Sequence, residues 1–76
     1  MRNDTEMRAT RAAREVEAFN ARVPVGARVR YWRGRREGAP SGEGAVRYPA
    51  EEVGGTASVW IEGCLGSVAL SHVEAV

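Results

Sequence analysis

The 76-residue chain has no lysine, a single cysteine, three prolines and five aromatic residues, and each shortage removes a class of protein. Cys64 has no second thiol, so no internal disulfide, zinc ligand set or redox pair can be drawn from it. A secreted disulfide scaffold is thereby excluded, and a reducing cytoplasm is the expected setting. The longest uninterrupted aliphatic run, Val68-Ala69-Leu70, falls far below the roughly 20 apolar residues that a transmembrane helix needs. Met1 to Glu6 carry acids instead of the apolar stretch of a signal peptide, so neither export nor membrane contact is expected. The length leaves room for one compact domain and none for separate substrate and cofactor modules.

What is present suits a folded chain: 43% hydrophobic and 28% charged residues, too apolar for a segment that stays disordered. All eleven cations are Arg, and the formal charge of +1 hides an asymmetry. Residues 1–22 carry a net +1, residues 23–48 a net +4 and residues 49–76 a net −4. A folded domain can use that distribution as two faces of opposite sign, or cancel it by pairing within the fold.

The periodicity divides the chain at Pro24. Asn3 or Asp4 can cap a helix, and Asn3 with Glu6 has capping-box spacing. Ala9, Ala12, Ala13, Val16, Phe19 and Val23 then recur at spacings of three and four, which predicts an amphipathic helix over residues 1–23. Pro24 lacks an amide hydrogen and ends it. From Val25 the period is two: Val25, Ala27, Val29 and Tyr31 face inward, while Arg28, Arg30 and Trp32 face outward, because unpaired Arg cannot be buried cheaply. Residues 33–44, with four Gly and a Pro, read as a long loop. A short strand over Ala45 to Tyr48 follows, with Val46 and Tyr48 inward and Arg47 outward, and Pro49 through Gly55 turns the chain. Thr56 to Glu62 alternates most clearly, Ala57, Val59 and Ile61 against Ser58, Trp60 and Glu62. Gly63 to Gly66 reverses the chain, and two short strands at residues 67–70 and 73–76 flank Ser71-His72. The expected fold class is therefore mainly β with one N-terminal α-helix: a small five-stranded antiparallel barrel over residues 24–76, closed so that no edge is left to aggregate.

Two resemblances sharpen this. Gly66-Ser67-Val68-Ala69-Leu70-Ser71-His72-Val73-Glu74 resembles the ending of an SH3 domain, and Trp60-Ile61-Glu62-Gly63 resembles that family's Trp-Trp-x-Gly strand, over roughly the last 20 residues. The implied fold is an SH3-like barrel. Ala69 stands where SH3 domains carry Pro and His72 where they carry Tyr, so their proline-peptide groove is not expected. Val23-Pro24-Val25-Gly26, Val29-Arg30-Tyr31-Trp32, Val59 to Gly63 and Ala69 to Glu74 also resemble short proteins of bacterial phages and prophages. That likeness implies a setting in which small non-enzymatic proteins, anti-CRISPR proteins among them, bind and block host machinery.

The residues offer little for catalysis. His72 is the only imidazole, and Ser71 and Cys64 near it make no nucleophilic set more plausible than packing. Glu51 and Glu52 are adjacent and point apart on a strand, and Gly34, Gly38, Gly42 and Gly44 lack the Lys-Ser/Thr ending of a phosphate loop. No enzyme, cofactor or metal site is expected. The informative residues are Trp32 and Trp60, outward by parity among Arg28, Arg30 and Arg47, and the loop cations Arg33, Arg35 and Arg36. Trp and Arg dominate binding energy at interfaces, so these eight form the expected partner-binding set. The competing arrangement has the helix cover one indole through Val16 and Phe19 while an Arg stacks on the other. A host protein or protein complex is the expected partner. Single-stranded or duplex nucleic acid on the Arg loop is the alternative, and the chain acts as monomer or homodimer.

Overall fold

The computed structural model describes the backbone of residues 4–76 and side chains from Thr10 onward, so Asn3, the side chains of the Asn3–Glu6 cap and that of the stripe position Ala9 lie outside what is described. Helix α1 spans Asp4–Arg22 and closes with Val23 N–H donating to the Phe19 carbonyl at 2.8 Å, one residue before Pro24. Its inner face is Ala12, Val16, Phe19 and Val23. Ala13, expected on that face, is exposed.

Six strands follow: β1 Arg28–Tyr31, β2 Gly42–Ala45, β3 Glu51–Val53, β4 Thr56–Trp60, β5 Ser67–Ala69 and β6 Val73–Ala75, with a 3-10 turn at Leu70–His72 between the last two. They make two antiparallel three-stranded sheets, ordered β2-β1-β6 and β3-β4-β5. Among the described residues the sheets meet at one isolated bridge, Val46 against Ile61, with Arg47 N–H donating to Trp60 O and Glu62 N–H to Ala45 O, each at 2.8 Å. The 3-10 turn carries the chain from one sheet to the other at β5–β6. Six strands replace the expected five, and among the described residues the sheets do not close into a barrel.

Each departure from the expected strands has a local cause. Gly42 and Gly44 belong to β2 instead of the loop, because the chain passes too close to its neighbours for a side chain: a Cβ on Gly42 would overlap the Tyr31 ring, and one on Gly44 the Glu62 carbonyl. Val25 lies in the Pro24–Ala27 turn, not in β1, and is exposed. That turn needs Gly26 at a φ of 93°. Beyond Val46 the ladder stops, so parity no longer holds and Tyr48 swings outward, 51% exposed. β3 was hidden inside the expected 49–55 turn because all three of its side chains are exposed.

Val29, Val46, Val59 and Ile61 are fully buried, each side chain stabilising the fold by roughly 1.5–3 kcal/mol. Phe19 and Val23 join the same cluster, so the helix is part of the one core. Asn20 fixes it further: Ala50 N–H donates to Asn20 Oδ1 at 2.8 Å and Asn20 Nδ2 donates back to Ala50 O at 3.1 Å. No helix among the described residues is long and apolar enough to cross a membrane.

Candidate functional site

The two tryptophans have different fates. Trp32 follows β1 on the outward side, as parity predicts, but is only 8% exposed. The cover is the segment that follows it, not the helix. Trp32 Nε1 donates to Gly38 O at 3.2 Å, and the Arg36 guanidinium lies 5.0 Å from the ring centroid. At the base of the loop, Arg33 N–H donates to Ser41 Oγ and Ser41 N–H to Tyr31 O, at 2.9 and 2.7 Å. A buried indole with a satisfied N–H is a structural residue, so the expectation of an exposed Trp32 is overturned by its own loop.

Trp60 is partly exposed on the outer face of β4. Beside it stands Tyr48, the rings edge to face with centroids 6.4 Å apart. The Arg47 guanidinium lies over the Tyr48 ring, 5.2 Å from its centroid, with Nε 3.9 Å from Glu62 Oε1. Pro49 and the pinned Ala50 follow directly, which holds the tyrosine against the sheet instead of letting it sweep through solvent. Sequence parity missed Tyr48. The signal was Pro49, whose ring ends strand pairing and so removes the ground for assigning an inward face.

The arginines are mostly paired. Arg28 meets Glu43 at 3.8 Å, Arg35 meets Glu37 at 3.8 Å, and Arg30 and Arg36 share Glu74 at 3.7 and 2.9 Å. Counting Arg47, five of the six cations in residues 23–48 sit against a carboxylate; among the described residues Arg33 alone does not. Such exposed pairs contribute little stability. Glu37 and Glu43 are already counted in the +4 of residues 23–48, so the outside carboxylates Glu62 and Glu74 lower the field of that segment to a net +2 without cancelling it. Arg33 instead directs Nη2 to Cys64 Sγ at 3.3 Å. Cys64 in turn neighbours the Tyr31 hydroxyl, whose pKa is pushed above 10 by burial first and by the thiol second, with Arg33 opposing.

His72 lies opposite Trp32, extending the β1–β6 pairing: Trp32 N–H donates to His72 O at 3.0 Å, and His72 Nδ1 lies 3.2 Å from Trp32 O. A carbonyl only accepts, so Nδ1 carries the proton of that bond and Nε2 is left for other work. In register, Trp60 pairs with Ser67. The outer surface therefore runs from Tyr48 through Trp60 to Ser67 and on to Arg33 and His72, where a cleft of about 280 Å³ opens. A larger groove of about 410 Å³ between α1 and the Leu70–Ala75 stretch is lined by the core residues Phe19, Val23 and Val73 together with exposed ones such as Glu15 and Arg22.

Of the eight expected site residues, Trp60 and Arg47 come together with Tyr48. Arg33 stands at the cleft, Trp32 and Arg36 are stacked on each other, and Arg28, Arg30 and Arg35 are ion-paired elsewhere. The chain matches no protein-family model, no curated protein and no solved structure.

Proposed function

We propose that this chain is a non-enzymatic protein-binding module that docks through the Tyr48–Trp60 face. The observation that carries the reading is the aromatic pair itself: two large rings left partly open, edge to face, flanked by the Arg47–Glu62 pair. Aromatic residues beside Arg, rimmed by charge, are the composition of interface hot spots. The strand, 3-10 turn and final strand of residues 67–75 support reading the two sheets as an open SH3-like arrangement. The sequence likeness to small phage and prophage proteins supports a narrower use, inhibition of a host defence complex of the anti-CRISPR type by steric occlusion in the host cytoplasm. Nucleic-acid binding is the weaker alternative, because five of its six candidate cations already face carboxylates.

The test compares capture of a host complex by the parent chain and by Tyr48→Ala and Trp60→Ala variants whose melting curves show them folded. Each substitution is expected to weaken the captured complex by at least about 2 kcal/mol, roughly 30-fold. Capture unchanged in the folded double variant overturns the reading.

A further inference from the structure

The cleft beside the aromatic pair has a chemistry of its own. Its lining is Trp32, Arg33, Ser67, Val68, Ala69 and His72, with no acid among them. Arg33 is the one central cation without a carboxylate among the described residues, and its single side-chain bond goes to Cys64 Sγ, a weak acceptor. A guanidinium has five N–H donors in a fixed fork that suits a carboxylate. The Ser67 hydroxyl adds another donor, and His72, with Nδ1 committed to Trp32 O, accepts at Nε2 when neutral and donates there when charged. Arg33 and Ser67 thus bring donors to a cleft whose lining holds no acid.

One wall of the cleft is also a sheet edge. The order β3-β4-β5 leaves both β3 and β5 as edges. β3 is guarded by the exposed side chains Glu51 and Glu52, the usual defence against unwanted strand pairing. β5 reads Ser67-Val68-Ala69 and carries no charge, and among the described residues no strand pairs with its outer side. An unguarded edge offers main-chain hydrogen bonds to an added strand, while side-chain pockets next to it select which strand.

We propose that β5 accepts an extended acidic segment of a partner protein as an added strand, with an Asp or Glu carboxylate of that segment seated on Arg33. This deepens the protein-binding reading and rests on it: Ser67 lies directly across from Trp60, so the segment continues the aromatic face. The acid requirement comes from Arg33 and the strand geometry from β5.

The probe is the peptide acetyl-Thr-Val-Glu-Val-Thr-amide, titrated to several millimolar into the 15N-labelled full chain, with its Gln analogue as control. Shifts are expected at the amides of residues 67–69 and at Arg33 Nε–H, with the Gln analogue binding about fivefold more weakly, the factor for about 1 kcal/mol. Arg33→Gln should erase that preference without moving the melting temperature. Equal response to both peptides, shifts confined to other surfaces, silence at β5, or pairing of β5 with a second copy of the chain each overturn the proposal. A β5 that ignores the peptides while capture still depends on Tyr48 and Trp60 sinks this proposal alone. A β5 response that survives in the Tyr48→Ala, Trp60→Ala variant while capture proves independent of those rings sinks only the earlier reading.

Discussion

Arg36 holds its guanidinium over the Trp32 ring, 5.0 Å from the centroid, and the same group reaches Glu74 at 2.9 Å and the Ser71 carbonyl at 3.3 Å. One side chain thus closes the loop onto the indole and ties it to β6. An exposed cation–π contact contributes about 0.5–1 kcal/mol and an exposed ion pair about 0.2–1 kcal/mol. Arg36→Ala is therefore expected to cost about 1–2 kcal/mol by urea denaturation. In a Trp60→Phe background, where Trp32 is the only indole, acrylamide quenching should rise. Quenching equal to that of the parent would show that the loop covers the ring without Arg36.

Gly42 and Gly44 answer to contacts, not to turn geometry. The Glu62 carbonyl that a Cβ on Gly44 would meet is backbone of a residue whose own N–H is bound to Ala45 O at the bridge between the sheets, and it cannot step aside cheaply. Gly44→Ala is expected to destabilise by about 1–3 kcal/mol, and Gly42→Ala by a similar amount through Tyr31. Gly34, with nothing near its missing Cβ, is the control and should change stability by no more than about 0.5 kcal/mol. Equal melts for Gly34→Ala and Gly44→Ala would remove the close-approach argument.

These glycines mark where the sequence could be read and where it could not. The helix stop at Pro24, the buried set Val29, Tyr31, Ala57, Val59 and Ile61, and the strand–turn–strand ending followed from period and punctuation, because burial on one face imposes a pattern on side chains. In the sequence Gly42 and Gly44 look like loop, because a close backbone approach leaves no trace except a missing side chain. β3 was unreadable for the opposite reason: an exposed edge strand selects for charge, not alternation. Within the site, Trp60 and Arg47 were legible by parity. Trp32 had the right direction, but its cover comes from Gly38 and Arg36, whose return over the ring is a tertiary event that no local pattern records.

Tyr31 makes stability pH-dependent at the alkaline end. Burial and the Cys64 thiol raise its folded pKa above the 10 of the free side chain. The unfolded chain therefore loses the phenolic proton first and binds fewer protons than the folded one across that window, so stability falls as pH rises. The Tyr31 contribution is complete below about pH 10 and is lost as pH climbs through the folded pKa. Urea melts from pH 8 upward should show Tyr31→Phe losing less stability above pH 10 than the parent does. Parallel pH profiles for the two would contradict the shift.

Asn20 and Ala50 bind each other through both ends of the Asn amide, as a neighbouring backbone would. Ala50 is 2% exposed, so water cannot readily replace either bond. Asn20→Ala leaves a buried N–H and C=O unpaired, and at about 1–3 kcal/mol for each orphaned group, partly relieved by relaxation, a loss of about 2–4 kcal/mol is expected. The Ala50 amide should also lose its protection from hydrogen exchange. Tyr48 lies two residues before Ala50, and its edge contact with Trp60 requires that stretch of chain to stay put. Asn20→Ala should therefore weaken partner capture at temperatures where the variant is still folded, although Asn20 lies outside the proposed face. A folded variant with a protected Ala50 amide and full capture would show that the aromatic pair is positioned by the sheet alone.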